Sequence, residues 1–188
     1  MALAQDRTYT IEDIYALPEG QRAELIDGVF YDMAAPTSIH QAFVGQVYRR
    51  ISDYIDRKQG TCVPMASPLD VQLDCDDRTM VQPDLLVVCD RSKFRKGLVF
   101  GAPDLVIEVI SRSTRRKDMM LKLSKYEAAG VREYWIVDPD KRKVIVYDFE
   151  SDINVRLYDF TQEVPVEIFG GKCKIDFQDI YEHVSFLY

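Results

Sequence analysis

The sequence predicts an α/β (α+β) fold, a mixed central sheet flanked by helices, and three observations carry that expectation. The runs "DLLVV" at 84–88 and "DLVIEVI" at 104–110 are almost continuously apolar, as strands buried on both faces are. A segment at 38–57 repeats its apolar residues at helical spacing, with Phe43, Val47, Ile51 and Ile55 on one stripe. A second helical segment, 114–129, follows the second apolar run, and further strand patterns follow it.

The elements read in order as follows. "YTIEDIYALPEG" is a short helix capped by Thr10 and ended before Pro18. "RAELIDGVFYDM" places a D-G pair between two alternating segments, the signature of a hairpin. The long amphipathic helix at 38–57 starts near Ser38. "TCVPMA", "LDVQL" and "MVQPDLLVV" are strand patterns, the last central to the sheet beyond Pro83. After "DLVIEVI", the helix at 114–129 stops at Gly130. "EYWIVDP" and "KVIVYDF" are two strands joined by a Pro-Asp turn, followed by short strands at 154–160 and 164–168 and a helix in "FQDIYEHVSF".

No repeat, linker or low-complexity tract interrupts the 188 residues, so one domain, 1–188, is expected. At 47% hydrophobic and 29% charged, the chain has the balance of a soluble globular protein. It has no run near the roughly 20 apolar residues of a membrane helix, and "MALAQDRTYT" lacks a signal-peptide core. A cytoplasmic location and no membrane partner are expected. Cys62, Cys75, Cys89 and Cys173 form no C-x-x-C pair, which reads as reduced, partly buried thiols. The net charge of -7 argues mildly against nucleic acid, yet 112–125 holds six Lys or Arg against one acid, Asp118.

Alternation places Asp104, Val106, Glu108 and Ile110 on one strand face, and Asp84 with Leu86 and Val88 on another. An ionised, unpaired carboxylate in such a strand costs several kcal/mol, so a protein cation, a bound metal or a raised pKa must compensate. If the two strands are neighbours, Asp84 and Glu108 can share a pocket, and their hard oxygens suit Mg²⁺ or Mn²⁺. On the following helix, Met119, Met120, Leu123, Tyr126 and Gly130 form the apolar stripe. Lys122 borders it and can reach the sheet, whereas Lys125 lies nearly opposite and is expected in solvent.

These residues resemble a known family. "QPD" with Asp84, "PDLVIEVIS" with Glu108, "D-x-x-x-K-x-x-x-Y" (Asp118, Lys122, Tyr126) and "GVREYWIVDP" look like the Uma-type restriction endonuclease family. That family lies within the PD-(D/E)xK nuclease superfamily. Upstream "AELIDG" and "PTSIHQ" extend the resemblance over 11–149, with motifs that are specific in combination and weak singly. The resemblance implies a restriction-endonuclease-like sheet, with Asp84 and Glu108 as Mg²⁺ (or Mn²⁺) ligands and Lys122 as the catalytic lysine. It also implies Glu24 as a further catalytic acid, with His40 and Tyr126 near the site. The superfamily lysine usually sits two residues after the second acid, where this chain has Ile110, so the resemblance implies that it has moved to the helix.

The activity implied is metal-dependent hydrolysis of DNA phosphodiester bonds by a homodimer. Arg112, Arg115, Arg116 and Lys117 would hold the nucleic-acid backbone without reading sequence. Two other classes remain beside it: a catalytically inactive nucleic-acid-binding or regulatory module of the same fold, and a small-molecule or sugar-phosphate hydrolase using the same two acids. The plainer readings of single residues stand too. Asp84 and Asp104 can be structural acids beside prolines, and Lys122 a snorkelling border residue. Glu24 can pair with Arg22 or cap the hairpin, and His40 can cap its helix or lie at the surface. Tyr126 and Trp135 read as core, and His183 carries no function. Glu108 is the hardest to explain without a partner.

Overall fold

A computed structural model describes residues 8–110 and 117–188, with backbone alone at 117–119. The chain begins with α1 (Ile11–Tyr15), whose capping box joins Thr10 and Asp13, and the hairpin β1 (Ala23–Ile26) and β2 (Val29–Asp32). Asp27 and Gly28 turn that hairpin with positive φ of 51° and 78°, as the D-G pair predicts. Then comes α2 (Ser38–Arg57), which starts at Ser38 as expected, with Thr37 as its N-cap accepting from His40 N–H. Strands β3 (Val63–Ala66), β4 (Val71–Gln72), β5 (Leu85–Val88), β6 (Phe94–Arg95), β7 (Leu98–Phe100) and β8 (Leu105–Val109) follow. Next are α3 (Lys117–Ala129), β9 (Glu133–Asp138), β10 (Lys143–Asp148), β11 (Val155–Asp159), β12 (Glu163–Val166), β13 (Cys173–Asp176) and α4 (Phe177–Val184).

The central sheet has the order β11-β10-β9-β8-β5-β3, parallel only between β8 and β9. Helix α3 connects those two strands, as a parallel pair requires a crossover. Among the described residues two apolar layers cover the sheet. On one face, Leu85, Val87, Leu105, Ile107, Val109 and Trp135 pack with α2, α4 and the β12–β13 hairpin. On the other, Leu86, Val88, Val106, Tyr134 and Ile136 pack with α3, Ile26 of β1 and the small β4-β7-β6 sheet. The odd and even residues of β8 therefore part between the two layers, which is why its apolar run is continuous. Phe43 and Trp135 are fully buried, and truncating either to Ala costs about 3–5 kcal/mol.

Several expectations are corrected. Cys62 and Cys89 form a disulfide, because the β3–β5 register sets them across from each other one residue beyond Val63 and Val88; only Cys75 and Cys173 are free thiols. Met120 is 71% exposed, outside the apolar stripe of α3, where Leu123 packs as expected and Leu121 joins it. Lys125 is not solvated: its Nζ lies 2.8 Å from Asp27 Oδ1 and 2.5 Å from Asp74 Oδ2, tying α3 to the hairpin turn. Strands β6, β7 and β13 are too short or too polar to show in the sequence pattern. No helix among the described residues is long and apolar enough to cross a membrane.

Candidate active site

The site forms where β5 and β8 lie side by side under α3. Leu85 pairs with Ile107 in an antiparallel ladder, so Asp84 and Glu108 come opposite each other at the next position. Asp84 N–H donates to Glu108 Oε2 at 3.4 Å, and Asp84 Oδ2 accepts from Val109 N–H at 2.8 Å. Position 84 follows Pro83 and precedes the ladder, so its carboxylate can turn back to cap the end of β8.

Helix α3 supplies the groups that meet Glu108. Lys122 and Tyr126 are four residues apart and project from the same face. Lys122 Nζ and Tyr126 Oη donate to the same oxygen, Glu108 Oε1, at 2.9 and 2.8 Å. Gly130, with φ 90°, ends the helix and lets Val131 N–H bond back to Tyr126 C=O, which fixes the last turn. Tyr126 is therefore both core residue and site residue.

Glu24 completes the group from β1. It is 6% exposed, takes Lys122 Nζ on Oε2 at 2.8 Å, and accepts Gln82 N–H on Oε1 at 2.9 Å. The pairing of Glu24 with Arg22 does not occur; Arg22 Nη2 bonds Gln82 Oε1 at 2.5 Å. His40, on the first turn of α2, reaches inward rather than to the surface. Its Nε2 donates to Asp84 Oδ2 at 2.9 Å, while Nδ1 is buried without a partner among the described residues.

The electrostatics follow from this crowding. Burial pushes the Glu108 carboxyl up to about 7; Lys122 opposes the rise, and the carboxylates of Asp84 and Glu24 add to it. Burial would lower the Lys122 ammonium, but the attraction of Glu108 and Glu24 outweighs it and holds the group well above its ordinary value. For His40, burial again works downward, and the bond and charge of Asp84 reverse it into a raised pKa. Burial, with the charge of Glu108, drives Tyr126 well above its ordinary value, so it stays a donor.

Asp104, just before β8, belongs elsewhere. Its Oδ2 accepts Cys89 N–H at 2.7 Å and its Oδ1 accepts Arg132 Nη1 at 3.0 Å, a structural clamp between β5, β8 and β9. Arg112, Arg115 and Arg116 lie outside the described residues, as does the side chain of Lys117. Gln82 escaped the sequence reading although it sits in "QPD"; a glutamine beside a proline carries no signal until its neighbours are known. Of the lining segment 33–37, only Pro36 and Thr37 fall in a motif the sequence shows, "PTSIHQ".

Glu24, His40, Asp84, Glu108 and Lys122 share a pocket of about 250 Å³. Among the described residues no group of three or more His, Cys, Asp or Glu is arranged to hold a metal ion. The donors of Asp84 and Glu108 are hard oxygens, and Asp84 Oδ1 has no partner among the described residues. That set fits an ion that keeps several waters and takes one or two carboxylates, as Mg²⁺ does, and not a full protein cage.

The fold is a mixed central sheet flanked by helices, with Asp84 and Glu108 opposite each other on adjacent central strands and Lys122 reaching Glu108 from the crossover helix. The chain is similar over 95% of its length to 99% of a solved structure described as "a putative nuclease belonging to DUF820" from Anabaena variabilis ATCC 29413, with a TM-score of 0.75 and 21% identity. Residues 11–174 match the Uma2 family, described as "Putative restriction endonuclease", and the chain belongs to that family. Among curated proteins, none matches it.

Proposed function

We propose that the chain is a nuclease that hydrolyses DNA phosphodiester bonds with a divalent metal ion, Mg²⁺ or Mn²⁺. The observation that carries this reading is the pairing of Asp84 and Glu108 within reach of the Lys122 ammonium, which lies 2.9 Å from Glu108 Oε1. Asp84 and Glu108 would hold the ion, which when bound supplies Lewis-acid stabilisation of phosphate charge and a more acidic water.

The chain's own residues have distinct tasks. Lys122 keeps its proton and presents a fixed positive charge to an anionic phosphate oxygen. Glu24 anchors that ammonium from the far side, so the charge does not swing out of the pocket. Tyr126 holds Oε1 of Glu108 by donating to it, leaving Oε2 facing Asp84. His40 and Val109 N–H orient Asp84 through Oδ2. Such prepositioning lets the site meet the transition state without reorganising.

The test is cleavage of plasmid DNA with Mg²⁺ or Mn²⁺ by wild type, Glu108→Ala and Lys122→Ala. Strong cleavage by wild type and its loss in both variants supports the reading. Equal, trace cleavage by all three means contamination, and the reading fails. A folded protein that binds DNA without cutting it would favour the inactive binding module.

A further inference from the structure

We infer that the pocket admits a single unstacked nucleotide, so that the preferred substrate is single-stranded or locally unpaired DNA and not continuous duplex. This rests on the nuclease reading above and names its substrate class.

The acids and the lysine are sunk below the surface. The side chains of Asp84, Lys122, Glu108 and Glu24 are 19, 14, 11 and 7% exposed. A phosphate must descend to reach them. The space above them, about 250 Å³, lies just under the lower end of small-molecule pockets, roughly 300 Å³. That is room for one nucleotide-sized group.

The walls are of the kind that receives a base. Tyr31, Ile110, Leu121, Ala34, Ala35 and Pro36 are among the residues that line it. Aromatic and apolar surface replaces the stacking that a base loses when it leaves its neighbours. A duplex held by its backbone needs a cationic surface. Here the described lining has two cations of Lys or Arg type, Arg22 and Lys122, against four acids, Glu24, Asp32, Asp84 and Glu108. Among the described residues this lining gives a phosphate backbone little attraction of its own, and contact with a base adds to it. An unpaired strand offers bases at little cost, whereas a duplex must first be opened.

The experiment compares one deoxyoligonucleotide as a single strand with the same sequence in a duplex closed at both ends by hairpin loops, with Mn²⁺. Products are sized on a gel, and only cuts within the paired stem are scored. The expected result is cleavage of the single strand at least about tenfold faster than the duplex. Ala35→Trp, at an exposed wall position where the fold has little at stake, should slow single-strand cleavage by about tenfold or more as the ring fills the pocket. Duplex cleaved as fast as the single strand, or Ala35→Trp behaving as wild type, overturns the inference and leaves the nuclease reading intact. If neither DNA is cut faster by wild type than by Lys122→Met, the nuclease reading fails, and this inference falls with it.

Discussion

Asp84 and Glu108 stand opposite each other at the end of the β5–β8 ladder, with Asp84 N–H 3.4 Å from Glu108 Oε2. Like charges placed directly across an antiparallel pair destabilise it. The fold tolerates the arrangement because His40 holds one acid while Lys122 and Tyr126 hold the other.

Lys122 stabilises two buried acids at once, so Lys122→Met leaves both uncompensated. Removing one partner of a buried pair costs about 3–5 kcal/mol. Urea unfolding should show that loss, and Lys122→Met/Glu108→Gln should recover part of it because one stranded acid is gone. Cleavage should fall at least about 100-fold in both variants. A double variant no more stable than the single one would contradict the account of Glu108.

Metal binding can be read apart from turnover. Asp84→Asn and Glu108→Gln each remove one hard oxygen donor, and Mn²⁺ affinity by calorimetry should drop roughly tenfold or more in each. Unchanged Mn²⁺ affinity in both would remove these residues as ligands.

Asp104 separates structural from functional acids around the same strand. Asp104→Ala leaves Cys89 N–H without its acceptor and Arg132 without one of its two acidic partners. Stability should fall by about 1–3 kcal/mol while cleavage per folded molecule stays at the wild-type level. A loss of cleavage that exceeds the loss of folded protein would place Asp104 in the site.

Glu133 gives a pH dependence away from the site. Burial raises its carboxyl to about 7, against bonds from Ile168 N–H, Glu167 N–H and Trp135 Nε1–H. A folded pKa above the unfolded one means that its stabilisation is complete below about 4.5 and is lost as pH rises through about 7. The urea midpoint should therefore fall more between these values for wild type than for Glu133→Gln. Parallel curves would show that the group titrates normally.

The disulfide is checked by counting thiols. Denatured without reductant, the protein should expose two of its four cysteines, Cys75 and Cys173. Reduction opens a link across 27 residues and should cost about 3–4 kcal/mol on loop entropy. Four reactive thiols would remove the bond.

Much of the fold was legible because its signals are local. Periodicity marks α2 from Ser38 to Arg57, the D-G pair marks the β1–β2 turn, and unbroken apolar runs mark β5 and β8 as central. Alternation groups Glu108 with Val106, and Asp84 with Leu86 and Val88, but only the pairing of β5 with β8 puts the two acids on a common face. The short β6, β7 and β13 lack enough residues to establish a period, and the disulfide depends on the register of β3 against β5.

Residue order and side-chain chemistry alone marked Glu108 as an acid in need of a partner, because a carboxylate in an apolar strand is costly wherever the strand lies. They could not say that Glu24, 84 residues earlier, would take the other side of the same lysine, that His40 would turn inward to Asp84, or that Lys125 would find two acids instead of water. Those choices belong to the packing of β1, α2 and α3 around the sheet end. Hydrogen bonds act over about 3 Å, and only the folded chain brings residues so distant in sequence within that range.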